Sequence, residues 1–458
     1  MSTRNPPAAS TRTARRCAVV LLVLLPATAA AQQSLDELVN SGLRSSLTRR
    51  QEDFATARAR AQVTEARGRF MPSATINARY TETSGQVVDL GALVNPAFAA
   101  LNQLLNKPAF PTDLNLRLPQ RQETSIRFIQ PLFQPALCAS YGVATNLRDA
   151  QIAQRDAVTR SLAFDLRSSY LNWAKARRVV EIYEATVPLV EENLRIAERL
   201  VAAGKATPDV IFRARAERSD VLQKRDDATR QAATAGEYLN LLLERPLDST
   251  VPAFADAALG IDSMPLLDSV LVRAHVGREE LRQLAAARGA TRAQRQLARS
   301  AFLPALSVAV DYGIQGDRYR FARDADYTQT SLVLSWNLFN GAQDASRTQQ
   351  ATLDVKRVEA QEEAARRQIV MQVRSAWASA EVAHDAIGTA GDRVLAARRT
   401  WELTRRRYEQ GMASQMELLD ARTSLTGAEL NRVMTTYDFY LRRVELDRSA
   451  ALYPRTLP

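Results

Sequence analysis

A chain of 458 residues with 46 % apolar content has ample material for a core, yet only 17 glycines and 18 prolines punctuate it, which suits long uninterrupted helices more than a loop-rich enzyme. Its formal charge of +11 is spread along helices as mixed-sign faces such as Arg405-Arg406-Arg407-Tyr408-Glu409, a solvated pattern that argues against a nucleic-acid partner. The two histidines, His275 and His384, stand far apart in helical segments, and no phosphate-binding glycine loop or cysteine cluster appears, so no catalytic group, metal site or cofactor is indicated.

Residues 1–31 read as a secretory signal. Arg12, Arg15 and Arg16 form the basic region, Cys17 to Leu25 an apolar run short for a bilayer span, and Ala29-Ala30-Ala31 a small-residue cleavage site. Arg15-Arg16 stand where a lipoprotein signal needs small or apolar residues, which argues against lipidation of Cys17. Cleavage removes Arg4, Arg12, Arg15 and Arg16 and no acids, lowering the charge from +11 to +7. Cys138 is then alone, which excludes an intramolecular disulfide.

Ser34 to about Phe70 is helical in pattern, with Leu35, Leu38, Leu43, Leu47, Phe54, Ala61 and Val63 set among charges. It stops at Phe70-Met71-Pro72, because proline breaks the helical ladder. Ala74 to Tyr80 then alternates, with Ala74, Ile76, Ala78 and Tyr80 opposite Thr75, Asn77 and Arg79, a two-faced strand. Residues 85–120 hold Asn95-Pro96, Lys107-Pro108 and Leu118-Pro119 around an apolar patch from Phe98 to Leu105, predicting a long loop with one short helix. A second strand covers about Glu123 to Phe133. The next helix runs from about Leu137 to Ala203, with Pro188 predicting a kink or discontinuity. A return helix spans about Pro208 to Leu243, Glu244-Arg245-Pro246 ends it, and a loop from Asp248 to Ser263 follows.

The second half replays this order. A helix from about Leu266 to Ala301 stops at Phe302-Leu303-Pro304. A strand puts Leu306, Val308, Val310 and Tyr312 on one face, a loop with Gly313 and Gly316 follows, and a last strand aligns Leu332, Leu334, Trp336 and Leu338. A long heptad segment then carries Val373, Ala380, Ile387, Val394, Trp401 and Tyr408, with Ala376, Ala383, Ala390, Ala397 and Thr404 between them. Subtracting 207 from these positions gives Leu166, Trp173, Val180, Val187, Leu194 and Val201, with Ser169, Ala176, Tyr183, Val190 and Ala197 between. The turn obeys the same offset: Gly411 maps to Gly204 and Ser414 to Thr207. In each copy the glycine stops one helix and the hydroxyl residue is placed to cap the next. The expected organisation is therefore a signal (1–31) and two repeats (32–257 and 258–458), each a helix, two strands and a long helical hairpin.

Four strands with an apolar face opposite a polar one are too few to close a membrane barrel of about eight or more strands. Either several copies share one barrel or the strands form a small soluble sheet. The seam by itself indicates only a coiled coil.

Together, however, the repeated order and the motif Tyr408-x-x-Gly411-x-x-Ser414-x-x-Glu417-Leu418-Leu419-Asp420-Ala421 resemble the TolC-like outer-membrane efflux proteins over nearly all of the mature chain. The resemblance implies a mainly α protein with a β-barrel part: a homotrimer whose chains share a 12-stranded barrel in outer-membrane lipid, continued by a long periplasmic α-helical tunnel. It also implies a Gram-negative outer-membrane location, no enzyme activity, and a periplasmic adaptor (membrane fusion) protein and inner-membrane pump as partners. Glu417 and Asp420, three apart on one helix face, stand where the family carries paired acids at the periplasmic constriction. A plain acidic first turn would look the same. The first-half tip departs from the pattern, with Val210 and Arg213 in the matching places and Asp209 adjacent; Arg213 is expected to meet Asp420 of a neighbouring hairpin. Gly204, Thr207, Gly411 and Ser414 would form the adaptor-facing tips.

The function expected from this resemblance is a passive efflux duct for small toxic compounds. A protein-secretion conduit would use the same architecture. A soluble periplasmic coiled-coil adaptor or scaffold is the alternative of another class, although adaptors have one hairpin set in a glycine-punctuated lipoyl-type sheet, and here there are two hairpins and no such pattern.

Overall fold

The computed structural model describes residues 35–84, 88–114, 117–118, 121–254, 264–316 and 326–452. The expected signal and residues 255–263 of the inter-repeat loop lie outside them. The first repeat runs α1 (Leu35–Ser45), α2 (Leu47–Gly68), β1 (Ser73–Tyr80), β2 (Val88–Asp89), α3 (Leu90–Leu105), β3 (Arg117–Leu118), β4 (Gln122–Phe133), α4 (Pro135–Ala202) and α5 (Asp209–Leu242). The second runs α6 (Leu267–Gly277), α7 (Glu279–Ser300), β5 (Ala305–Gly316), β6 (Asp326–Ser335), α8 (Gln343–Glu409) and α9 (Gln415–Ser449). A helical pair, strands, a long helix and a return helix thus occur twice in the same order. α4 and α8 have 68 and 67 residues, about 100 Å each at the helical rise of ~1.5 Å per residue.

The heptad positions explain why such lengths hold together. Every seam residue named from Val373 to Tyr408, and every counterpart from Leu166 to Val201, is buried or half-buried. α4 packs along α5 and α8 along α9, while α4 also meets α9, and so one hairpin leans on the other. Pro188 neither ends nor divides α4. It is exposed, while Val187 and Val190 beside it keep the seam packed. At the hairpin bases, Leu166, Tyr170, Leu171 and Trp173 centre one apolar cluster with α1, α5 and α9. Ile369, Val373 and Ala380 centre another with α6 and Leu446. Equivalent aromatic residues tie the connecting segments to both bases: Tyr170 accepts the Phe254 N–H at 2.9 Å, and the Trp377 indole donates to Pro265 O at 2.9 Å.

Three boundaries differ from the sequence reading. Each first helix is two helices, broken after 11 residues at an extended residue, Ser46 (ψ 122°) in one repeat and Arg278 (ψ 126°) in the other. Ser46 caps α2 by accepting from Arg49 N, and the Arg278 guanidinium reaches Ser449 O at 3.1 Å. β5 extends through Gly313 and Gly316, which the sequence places in a loop. A Cβ on Gly313 would lie 2.8 Å from Thr124 O and 2.9 Å from Ser125 Cβ, so close strand approach and not a turn demands glycine there. β6 ends at Ser335, leaving Trp336 to Phe339 beyond the sheet.

The strands form one antiparallel sheet ordered β1-β4-β5-β6, so the two repeats join at β4–β5, and β1 and β6 are open edges. Its register puts Ile76, Ile126 and Tyr312 in one row and Phe128 and Val310 in the next. Leu332 and Leu334 follow on the same face through Val308 and Leu306. The other face carries two ion pairs directly across the ladder, Arg79 with Glu123 and Arg127 with Asp311 at 2.6 Å. Where strands pass into helices, Met71, Leu132, Phe133, Phe302, Leu303, Trp336, Leu338 and Phe339 are all exposed, an apolar and aromatic band of the kind that marks a membrane–water boundary. The Trp336 indole donates to Phe302 O at 3.1 Å and fixes one member of the band. Among the described residues no helix is long and apolar enough to cross a membrane; the lipid-compatible surface lies on the sheet.

A bidentate ion pair locks the halves together below that band. Arg160 of α4 donates to Glu279 of α7 through Nε at 2.9 Å and Nη2 at 2.6 Å, with both side chains buried. Removing one partner strands a buried charge, so Glu279→Ala is expected to cost about 3–5 kcal/mol. The loss would be read as a lower denaturant midpoint of the helical circular-dichroism signal, with Arg160→Met/Glu279→Leu falling between the single variant and the parent.

Candidate functional site at the hairpin tips

Both hairpins turn in the same way. Gly204 and Gly411 have φ of +69° and +72°. Lys205 N–H donates to Leu200 O and Gly204 N–H to Val201 O, as Met412 N–H donates to Arg407 O and Gly411 N–H to Tyr408 O, at 2.8 to 3.0 Å. This is the left-handed glycine stop that satisfies the last helical carbonyls. A Cβ at either glycine would touch nothing within 4 Å, so the backbone angle, not space, requires the residue.

The restarts differ. Ser414 is the N-cap of α9 and accepts from Glu417 N at 3.2 Å. Thr207 does not cap α5, whose N-cap is Pro208 with no side-chain bond; its hydroxyl donates instead to the Asp209 carboxylate. The expectation of matching hydroxyl caps therefore holds in the second repeat and fails in the first, where Pro208 takes the N-cap position and the Thr207 hydroxyl donates to Asp209.

Glu417 and Asp420 are both exposed, with no ion-pair partner among the described residues of the chain. Burial places Leu418 and Ala421 on the packed side of α9, so the two carboxylates share the outward side. Arg213 lies 3.5 Å from Asp209 on its own helix; within one chain it does not meet Asp420.

Two contacts that the sequence reading missed tie the tips together. The Gln415 amide donates to Val210 O at 3.1 Å, and Arg422 of α9 meets Glu217 of α5 in an ion pair. Arg422 is buried, and burial pushes its pKa down to about 10, still charged at neutral pH. Arg422 directly follows the packed Leu418 and Ala421, where a buried cation needs an acid opposite, but nothing local in the sequence names Glu217 as that acid. Nearby, burial also raises the Tyr408 phenol above its ordinary value.

Comparison with known proteins bears on this geometry. Residues 270–451 match the model of the family described as outer membrane efflux protein. Over that segment the chain is similar to the outer membrane efflux protein family. Solved structures agree over more of its length. The chain is similar to CusC at 17 % identity, covering 92 % of both chains with a TM-score of 0.76. It is similar to the Neisseria gonorrhoeae MtrE channel, solved in an open state, at 19 % identity over 91 % of this chain and 89 % of that one, TM-score 0.74. The outer membrane protein VceC of Vibrio cholerae matches at 15 % identity over 91 % and 96 %, TM-score 0.72. At these identities the likeness is one of fold. Comparison with curated protein sequences gives no match. The fold is thus shared with solved outer-membrane channel proteins, and its two hairpins differ from the one hairpin expected of a periplasmic adaptor.

The Glu217–Arg422 tie yields a local test. Glu217→Ala leaves Arg422 buried without its partner, so amide hydrogen exchange over residues 209–220 and 415–425 is expected to accelerate at least several-fold. Asp420→Ala, which removes an outward carboxylate, should leave that exchange unchanged.

Proposed function

We propose that three copies of this chain close a 12-stranded barrel, four strands from each, and form a passive outer-membrane exit duct for small toxic compounds. The observation that carries the reading is the two-faced sheet with open β1 and β6 edges, continuous with helices α4 and α8 about 100 Å long. In hydrocarbon an open edge leaves amides and carbonyls without partners, and closure by further copies removes the edges. The helices continue the barrel as a periplasmic tunnel, and energy comes from an inner-membrane pump engaged through a periplasmic adaptor at the Gly204–Thr207 and Gly411–Ser414 tips.

At the closed end, threefold symmetry repeats Glu417 and Asp420 as two rings of carboxylate. Such rings raise the local cation concentration and resist anions. Arg213 and Asp209, exposed beside them, complete the charged lip, and Arg213 of one chain is placed to exchange Asp209 for Asp420 of the next. The exposure of Glu417 and Asp420 and their lack of ion-pair partners among the described residues of the chain support this role over a structural one.

Planar-bilayer conductance tests the reading. The parent protein is expected to conduct with a cation preference that falls in Glu417→Ala/Asp420→Ala, read as a reversal potential moving toward zero in a salt gradient. An unchanged potential in the double variant removes the two acids from the constriction, and absence of any conductance by the parent removes the duct.

A further inference from the structure

The two repeats meet each other inside one chain, and that junction shows what the chain's outer edges fit. Below the sheet the helices stand in the order α2, α4, α7, α8: α4 packs on both α2 and α7, and α7 packs on α8. α2 leads into the edge strand β1 and α8 follows the edge strand β6, so the end helices of this row flank the open ends of the sheet. The repeats correspond position by position. α2 and α7 have 22 residues each and lie 232 positions apart, as Phe70 does from Phe302, while α4 and α8 keep the 207-residue offset.

The internal α4–α7 junction has a defined chemistry. Besides the Arg160–Glu279 pair, Asp156 is buried between two cations, accepting from Arg155 of its own helix at 2.7 Å and from Arg282 of α7 at 3.0 Å. Further along, a Cβ on Gly289 would overlap the Asn146 amide, and a Cβ on Gly142 would lie 3.3 Å from the Ala293 Cβ. Carried over by the two offsets, Asp156, Asn146 and Gly142 of α4 become Glu363, Leu353 and Gln349 of α8. Arg282, Gly289 and Ala293 of α7 become Arg50, Ala57 and Ala61 of α2. The six counterparts at the internal junction are buried or half-buried, whereas these six are all exposed. Phe54, one turn from Arg50 and 63 % exposed, lies on the same side of α2 with the Arg50 guanidinium over its ring. An arginine on an apolar face at one edge thus matches a glutamate and a leucine at the other.

We propose that α2 of one copy packs on α8 of the next as α7 packs on α4, with Arg50 donating to Glu363 of the neighbour and Ala57 set against its Leu353. The occupant is a second copy because pairing β6 with the next β1 brings these two helices alongside, and such a head-to-tail contact closes into a ring. Glu363 already accepts from Arg367 of its own helix at 2.9 Å, as Asp156 does from Arg155, and Arg50 supplies the second cation of the same arrangement. The bidentate pair is not repeated, since Leu47 stands in the place of Glu279; the junction between copies rests on one shared acid and on apolar contact. The inference rests on the threefold assembly proposed above.

Oxidative cross-linking in intact outer membranes tests the contact. In a Cys138→Ser background, Ala57→Cys/Leu353→Cys is expected to form disulfides between copies, read as covalent dimers and trimers on a non-reducing gel. Either cysteine alone gives none, and neither does Gln62→Cys/Leu353→Cys, because Gln62 lies on the side of α2 toward Leu147 and Gln151 of α4. Charge reversal supplies a second readout. Arg50→Glu and Glu363→Arg are each expected to lower the temperature at which the detergent-extracted trimer dissociates, and Arg50→Glu/Glu363→Arg to restore it. A trimer that stays uncross-linked in the double cysteine variant, or whose double reversal is no more stable than the single ones, overturns the contact and leaves the duct standing. A parent protein that is not trimeric overturns the assembly and this inference together.

Discussion

Backbone hydrogen bonding in a solvent without water is the constraint on which the rest of this structure depends. The sheet ordered β1-β4-β5-β6 satisfies its interior ladders, but among the described residues no strand pairs with the outer edge of β1 or β6. A soluble protein would shield such edges with charge, a bulge or a covering loop. Here β1 is exposed along its whole length, and the face it shares with Phe128 and Leu332 is apolar. Neither feature suits water, and both suit a closed barrel in lipid.

The helical part answers a different requirement. A tunnel wall must be long, thin and self-supporting, and a heptad seam achieves this with few large side chains. Ala380, Ala383 and Ala390 are buried in α8, allowing close helix approach, while Trp173 and Tyr170 anchor the apolar cluster at a hairpin base. Stabilising polar contacts concentrate where rigidity matters: Arg160–Glu279 beneath the sheet and Glu217–Arg422 near the tips. Between them the exposed surfaces carry short-range pairs such as Arg195–Glu192 and Lys224–Asp220, each of small energetic weight.

What was legible in the sequence is what repeats locally. The heptad from Val373 to Tyr408, the 207-residue offset and the glycine turns are periodic signals, and the helices, strands and tips follow from them. The break at Ser46 was hidden because the apolar period continues across a single extended residue. Gly313 was taken for a loop residue because the sequence does not distinguish a glycine that turns from one that lets strands approach. Glu217–Arg422 and Arg160–Glu279 join residues more than a hundred positions apart, a proximity that no local pattern encodes. The family motif names Glu417 and Asp420, which are exposed and have no ion-pair partner among the described residues, but it carries no information on Thr207, whose hydroxyl turns to Asp209.

The most direct test of the shared barrel is the native mass of the protein extracted in mild detergent from separated membranes. The account predicts three chains per particle, recovered in the outer-membrane fraction and stable to dilution. A monomer or dimer that stays in the soluble periplasmic fraction without detergent would contradict it, because the open edges of β1 and β6 would then have to be satisfied by water.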